Sequence, residues 1–178
     1  DALNTLLDDM RETMVMADGL GLAANQVAVA KRVFLMGIPA EDDAVERAED
    51  ETKDGAKDSA EDCAEFELFE VINPVIEGKR GEQRFEEGCL SFPGVSETVL
   101  RADEIDLAYT DRHGERKRRK LNGLAAVCAQ HELDHLDGIT FMDRLSPLKR
   151  RLAMRAYTRE RRARLADQRD EATAALRR

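Results

Sequence analysis

The chain has 178 residues, 42% of them hydrophobic, 37% charged and 4% aromatic, with no tryptophan: enough apolar content for a core, at a length that suggests one domain. No apolar run is long enough to span a bilayer, no secretory signal precedes the first helix-like segment, and Cys63, Cys89 and Cys128 form no disulfide framework. These features argue against a membrane span or a disulfide-stapled secreted domain and point to a reducing, cytoplasmic setting. The formal net charge of −9 is unevenly spread. Residues 41–62 carry eleven acids against three bases, a net −8, and residues 147–178 carry eleven bases against four acids, a net +7. Residues 63–146 between them carry seventeen acids against eleven bases, a net −6.

Leu3, Leu6, Leu7, Met10 and Met14 recur at spacings of three and four, which predicts an amphipathic helix over 3–17. Gly19 follows where such a helix wants a residue of positive φ. The run Gly19-Leu20-Gly21-Leu22-Ala23-Ala24-Asn25-Gln26 is small and apolar until it ends in amides. It fits neither a Walker A loop nor G-x-G-x-x-G, and on residue type it reads as a helix-to-strand turn whose glycines let another backbone approach closely.

Val33–Ile38 predicts a buried strand. Residues 40–66 lose all periodicity and read as a solvated, disordered insertion between two strands. Leu68–Ile76 resumes strand character, with Pro74 pointing to an edge or a bulge, and Gly78–Gly81 predicts a turn. Ile105, Leu107 and Tyr109 alternate with polar residues, and Asp111-Arg112-His113-Gly114 turns the chain into a charged returning strand. His113 is then a turn residue at a hairpin tip.

Asn122 suits the N-cap of the next helix, Ala125, Ala126 and Ala129 give it small flanks, and Gly138 ends it. Ile139–Met142 is strand-like, and Ser146-Pro147 opens a last, arginine-rich helix. Strands in hairpin order with helices before, inside and after them predict an α+β fold. It would be mostly antiparallel sheet around a central helix, with 1–178 as a single domain.

That central helix carries His131-Glu132-Leu133-Asp134-His135. Histidines four apart project from one helix face on successive turns, so both can ligate one divalent metal, with Glu132 placed as general base. The third ligand decides the class. A metzincin protease would have histidine where this chain has Phe141. Glu160, the candidate in a thermolysin-like arrangement, sits in an arginine-dense surface helix. Cys128 shares the histidine face, but a rise of ~1.5 Å per residue puts it roughly 10 Å from His135 along the axis. It more naturally lines a pocket with Leu124 and Val127. For Cys89, in Glu-Gly-Cys-Leu-Ser, residue type alone favours a buried inert thiol.

Three stretches in this order, Gly19–Gln26, Glu87-Gly88-Cys89-Leu90-Ser91 and Gln130-His131-Glu132-Leu133-Asp134-His135-Leu136, together resemble the three signature motifs of peptide deformylases. The likeness continues through Phe141-Met142-Asp143-Arg144-Leu145-Ser146-Pro147. The resemblance implies a hydrolase that removes the formyl group from the N-terminal formylmethionine of nascent polypeptides. It implies Cys89, His131 and His135 as metal ligands, Glu132 as acid/base, and the Gln26 side chain and Leu90 backbone N–H as oxyanion donors. It also implies an extended peptide paired near Leu20, Gly21 and Gly88, its methionine in the pocket of Leu124, Val127 and Cys128. The native ion would be ferrous iron, in a donor set that also accepts zinc, nickel or cobalt.

Three features depart from the family pattern. Asn25 stands where many members have proline, which is expected to loosen the loop beside Gln26. The acidic insertion is longer than the usual connection. The chain also begins within the first helix, where members have a leading segment. The basic tail is either a solvated helix or, by analogy with bacterial members, a contact to ribosomal RNA. A zinc endopeptidase and a ribosome-associated module without catalysis are the competing functions.

Overall fold

A computed structural model describes residues 2–39, 45–46 and 66–175. In chain order the elements are α1 (Ala2–Met16), β1 (Gly21–Ala23), β2 (Val33–Pro39), β3 (Val45–Glu46), β4 (Phe66–Arg80), β5 (Gln83–Gly88), β6 (Ser96–Arg101), β7 (Glu104–Thr110), β8 (Arg116–Asn122), α2 (Gly123–Leu136) and α3 (Pro147–Ala175). Two further 3₁₀ turns cover Ala24–Val27 and Phe141–Arg144. The chain divides into two compact units, one of residues 1–83 and 100–139 and the other of 84–99 and 140–178.

The first unit holds a six-stranded sheet in the order β1-β2-β4-β7-β8-β3, with neighbours antiparallel. Its two faces are read directly from β2. Phe34, Met36 and Ile38 point into a cluster with Ala125, Ala126 and Ala129 of α2, while Val33 and Leu35 meet Leu7, Met10 and Met14 of α1. A strand covered on both faces has no polar side to show, so β2 is an unbroken apolar run. β7 is covered on one face only: Ile105, Leu107 and Tyr109 are buried and their neighbours are not. The three alanines let the α2 backbone approach the sheet closely.

The second unit is built on the β5–β6 pair, the loop between those strands, the 3₁₀ turn Phe141–Arg144 and α3. Its core is Val95, Val99, Phe141, Met142 and Ala153. Phe92 meets Phe141 edge-on at 5.7 Å and Tyr157 at 5.1 Å, which fastens the 89–95 loop to α3.

The α+β, mainly antiparallel architecture is as expected, with local corrections. Helix α1 closes on Asp18 at φ 52, and Gly19 N donates to Met14 O at 3.0 Å. The left-handed position is thus one residue earlier than Gly19, at an aspartate whose short polar side chain tolerates it. Pro74 marks a bulge, between Ile72 and Val75, but on a central strand; Asn73 takes the positive φ of 51 that absorbs the extra residue. Gly78 lies inside β4, and the turn centres on Gly81 at φ 62.

Asn122 is the N-cap residue of α2 but makes no side-chain capping bond. Ile139–Met142 is not a strand. Thr140 N and Oγ1 both donate to Asp143 Oδ2, at 2.9 and 2.8 Å, and wind the segment into a 3₁₀ turn. Ser146 caps α3 as its sequence promised, accepting from Lys149 N. Phe66 belongs to β4, and Val45–Glu46 pair with β8; the rest of the acidic insertion lies outside the described residues. No helix among the described residues is long and apolar enough to cross a membrane.

Candidate metal centre

Helix α2 buries a run of polar side chains: Gln130, His131, Glu132, Asp134 and His135. Burying such groups costs several kcal/mol unless each finds a partner, so the surroundings of α2 are built around them. Gln130 Nε2 donates to Ala102 O and Ala126 O, both at 2.9 Å, and its Oε1 accepts from Ala102 N at 3.1 Å. Asp134 forms an ion pair with Arg101, both side chains nearly inaccessible. Arg101 and Ala102, adjacent at the end of β6, therefore grip α2 one turn apart, on either side of Glu132.

His131 and His135 are 9% and 5% exposed, with ring centroids 4.9 Å apart and planes at 77°. Two buried imidazoles set edge to face on successive turns can turn a nitrogen each toward one ion. Glu132, 4% exposed, lies against the α-carbon of Gly21 in β1. A Cβ there would sit 2.7 Å from Glu132 Cδ, so only glycine lets the carboxylate occupy its place. The close approach expected at the glycine pair is thus made at Gly21 by a side chain.

The segment after β1 brings the amides. Gln26 Oε1 accepts from Ala23 N at 2.9 Å, which orients the side chain with Nε2 on the far side. Asn25 Nδ2 donates to the backbone carbonyl of His135. Cys128, buried, places Sγ 3.5 Å from Leu20 O, so a residue expected in the methionine pocket and one expected to pair with the peptide are neighbours. Val127 is buried and Leu124 half-buried on the same helix, and Leu20 is 42% exposed. Gln26, Glu132, His131, His135, Leu20, Gly21, Leu124, Val127 and Cys128 all belong to the first unit.

Gly88, Cys89 and Leu90 belong to the second. Gly88 ends β5, and Cys89 opens a turn closed by Phe92 N donating to Cys89 O at 2.9 Å. The thiol is half-buried beside the Phe92–Phe141–Tyr157 cluster, while Leu90 is 37% exposed. Gly94, at φ 79, completes the loop, and a Cβ there would lie 2.7 Å from Glu160 Cγ. Glu160 is thus occupied with packing this loop and with Arg164, consistent with the low weight its sequence context gave it as a ligand.

Cys89, His131 and His135 supply one thiol and two imidazoles, donor types that hold a divalent transition-metal ion. Arg101, Gln130 and Asp134 were not singled out as contributors from the sequence. Asp134 between the two histidines was the available signal; Arg101, 33 residues away, gave none.

Comparison with known proteins identifies the family. The family described as polypeptide deformylase matches residues 1–151. Peptide deformylase 2 of Xanthomonas campestris pv. campestris is 45% identical over 151 residues, spanning 85% of this chain and 75% of that protein. A peptide deformylase of Helicobacter hepaticus is 40% identical over 85% of this chain and 74% of its own. Among solved structures, a peptide deformylase from Legionella pneumophila superposes with a TM-score of 0.75 at 36% identity, covering 93% of this chain and 84% of that one. The peptide deformylase of Ehrlichia chaffeensis in complex with actinonin gives 0.74 at 34% identity, covering 90% and 84%. The chain belongs to the polypeptide deformylase family.

Proposed function

We propose that this chain removes the formyl group from formylmethionyl peptides with one divalent ion held by Cys89, His131 and His135, the two units serving as one catalytic domain. The observation that carries the reading is His131, Glu132 and His135, buried together on α2 in a deformylase-family chain, with Glu132 seated in the space left by Gly21. A divalent ion bound there supplies Lewis acidity toward water and the formyl oxygen.

Glu132 takes a proton from the attacking water as the oxygen adds to the formyl carbon. Negative charge grows on the formyl oxygen, and Gln26 Nε2 and the Leu90 backbone N–H donate to it. An amide serves here because it is neutral: it stabilises the oxyanion without competing as a ligand. As the C–N bond breaks, Glu132 passes the proton to the departing amine, leaving formate and a free methionyl terminus. Leu20, Gly21 and Gly88 pair with the extended peptide, and Leu124, Val127 and Cys128 receive the methionine side chain, a soft lining suited to a thioether.

Ferrous iron is the native ion in this reading. Zinc outranks it in intrinsic affinity and can displace it, so iron-loaded protein handled without oxygen is the material to test. The setting is cytoplasmic, with the basic face of α3 contacting ribosomal RNA.

The deciding measurement is formate release from a formylmethionyl peptide, set against cleavage of an internally blocked peptide. Formate without internal cleavage is expected; the reverse would identify an endopeptidase, and neither would leave a module without catalysis. Glu132→Gln is expected to lower kcat by about 10²–10⁴-fold with metal content unchanged. Full activity in that variant would remove Glu132 from its role.

A further inference from the structure

Asn25 precedes Gln26 in the 3₁₀ turn Ala24–Val27, where its sequence suggested a loosened loop. The side chain is engaged instead. Its Nδ2 donates to the carbonyl of His135, in the last turn of α2. A helix-end carbonyl has two lone pairs and no full set of intrahelical donors, so it can accept a side-chain amide from a neighbouring segment beside a backbone N–H. Gly138 N supplies the other bond to the same oxygen, at 3.0 Å.

The loop around Asn25 is internally stiff. Val29 N donates to Ala24 O at 2.9 Å and Ala28 N to Asn25 O at 3.2 Å, with Ala28 at φ 62 closing the turn. Gln26 folds back onto Ala23 N. A loop rigid within itself moves as one piece, and its distance from α2 is then set by whatever ties it to the helix. Among the described residues, polar ties to the C-terminal end of α2 include Asn25 to His135, and Arg32 to Asp137 at 2.8 Å. The second is an ion pair with both side chains nearly half exposed, and such pairs hold weakly in water. Asn25 is itself exposed, but its bond is part-buried and made to a backbone carbonyl, so of the two it is the better shielded tie.

We propose that Asn25 is a positioning residue of the oxyanion site, fixing the loop that carries Gln26 to the helix turn that presents His135. This rests on the deformylase reading. A proline at the same place would have no donor to offer; this chain fixes the loop through a hydrogen bond.

The test compares metal-loaded, full-length wild type with Asn25→Asp, Gln26→Ala and the double variant. Asn25→Asp keeps the size, removes the donor and sets a carboxylate oxygen against a carbonyl. Formate release from a formylmethionyl tripeptide and amide hydrogen exchange over residues 24–29 are read on the same samples. The expected result is a kcat lower by roughly ten- to hundred-fold with KM within about two-fold, as for a displaced transition-state donor. Exchange over 24–29 should quicken. Asn25→Asp should cost nothing more once Gln26 is alanine, because its effect passes through that side chain. Asn25→Ala, which adds no repulsion, should show the same signs with a smaller loss.

Unchanged exchange, or a loss that adds fully to that of Gln26→Ala, overturns the proposal. Wild type that releases no formate defeats the deformylase reading itself, whereas wild-type release with Asn25→Asp fully active defeats only this one.

Discussion

Asp134 stands between the two histidines of α2 and meets Arg101 where water does not reach. Both ions pay a desolvation cost that their mutual attraction roughly repays, so the pair is weak evidence of stability and strong evidence of commitment. Removing one partner strands the other. Arg101→Met is expected to destabilise by about 3–5 kcal/mol, while replacing Arg101 and Asp134 together by apolar residues should recover much of that loss. Urea unfolding of the single and double variants measures it. A single variant within about 0.5 kcal/mol of wild type, the range of ordinary surface changes, would show that the pair does not hold α2. At this scale the sequence was legible where chemistry has a fixed local spacing, as at His131, Glu132 and His135. It was silent where a partner comes from another strand, as with Arg101, and incomplete at Asn25, where a lost ring constraint was visible and the bond to His135 O was not.

Elements with a clean period were the readable ones. The three-and-four spacing of Leu7, Met10 and Met14 marks the face of α1 that is buried, and the alternation of Ile105, Leu107 and Tyr109 marks the covered face of β7. Periodicity failed where side-chain hydrogen bonds bend the chain. Ile139–Met142 has the apolar content of a strand, yet Thr140 and Asp143 wind it into a turn.

The same bonds carry a pH signature. The Thr140 N–H and hydroxyl, joined by Arg150 and Arg144, hold the Asp143 carboxyl below the usual carboxylate range against a smaller opposing effect of burial. A carboxylate depressed in the folded state adds stability above its unfolded pKa, about 3.9, and that contribution is lost as pH falls through the lower folded value. Asp143→Asn should therefore be less stable than wild type at neutral pH, and the gap should narrow as pH drops below about 4. Urea midpoints across that range test this. A gap that stays constant into acid would mean that Asp143 acts through shape alone.

On the scale of the whole molecule, the residues proposed for catalysis are divided between the two units: imidazoles, carboxylate and amide in the first, thiol and Leu90 N–H in the second. The second unit explains why the arginine-rich tail is more than a solvated helix. Ala153, Ala156 and Tyr157 of α3 pack into the core that seats the Cys89 loop. Arg151, Arg155, Arg159 and Arg162 instead line a shallow surface depression with Met154 and Thr158. One face of α3 is structural and another is a cationic stripe, and a net charge alone could not separate them.

Deleting 150–178 would therefore disturb the Cys89 loop along with any RNA contact, so charge reversal is the cleaner probe. Changing Arg151, Arg155, Arg159 and Arg162 to glutamate should weaken binding to ribosomes at low salt. It should also flatten the salt dependence by roughly one logarithmic unit per lost phosphate contact, while formate release from a free peptide persists. Sedimentation with ribosomes across a salt series gives both numbers. Equal binding by wild type and the reversed protein at low salt would leave the stripe as a solvated face.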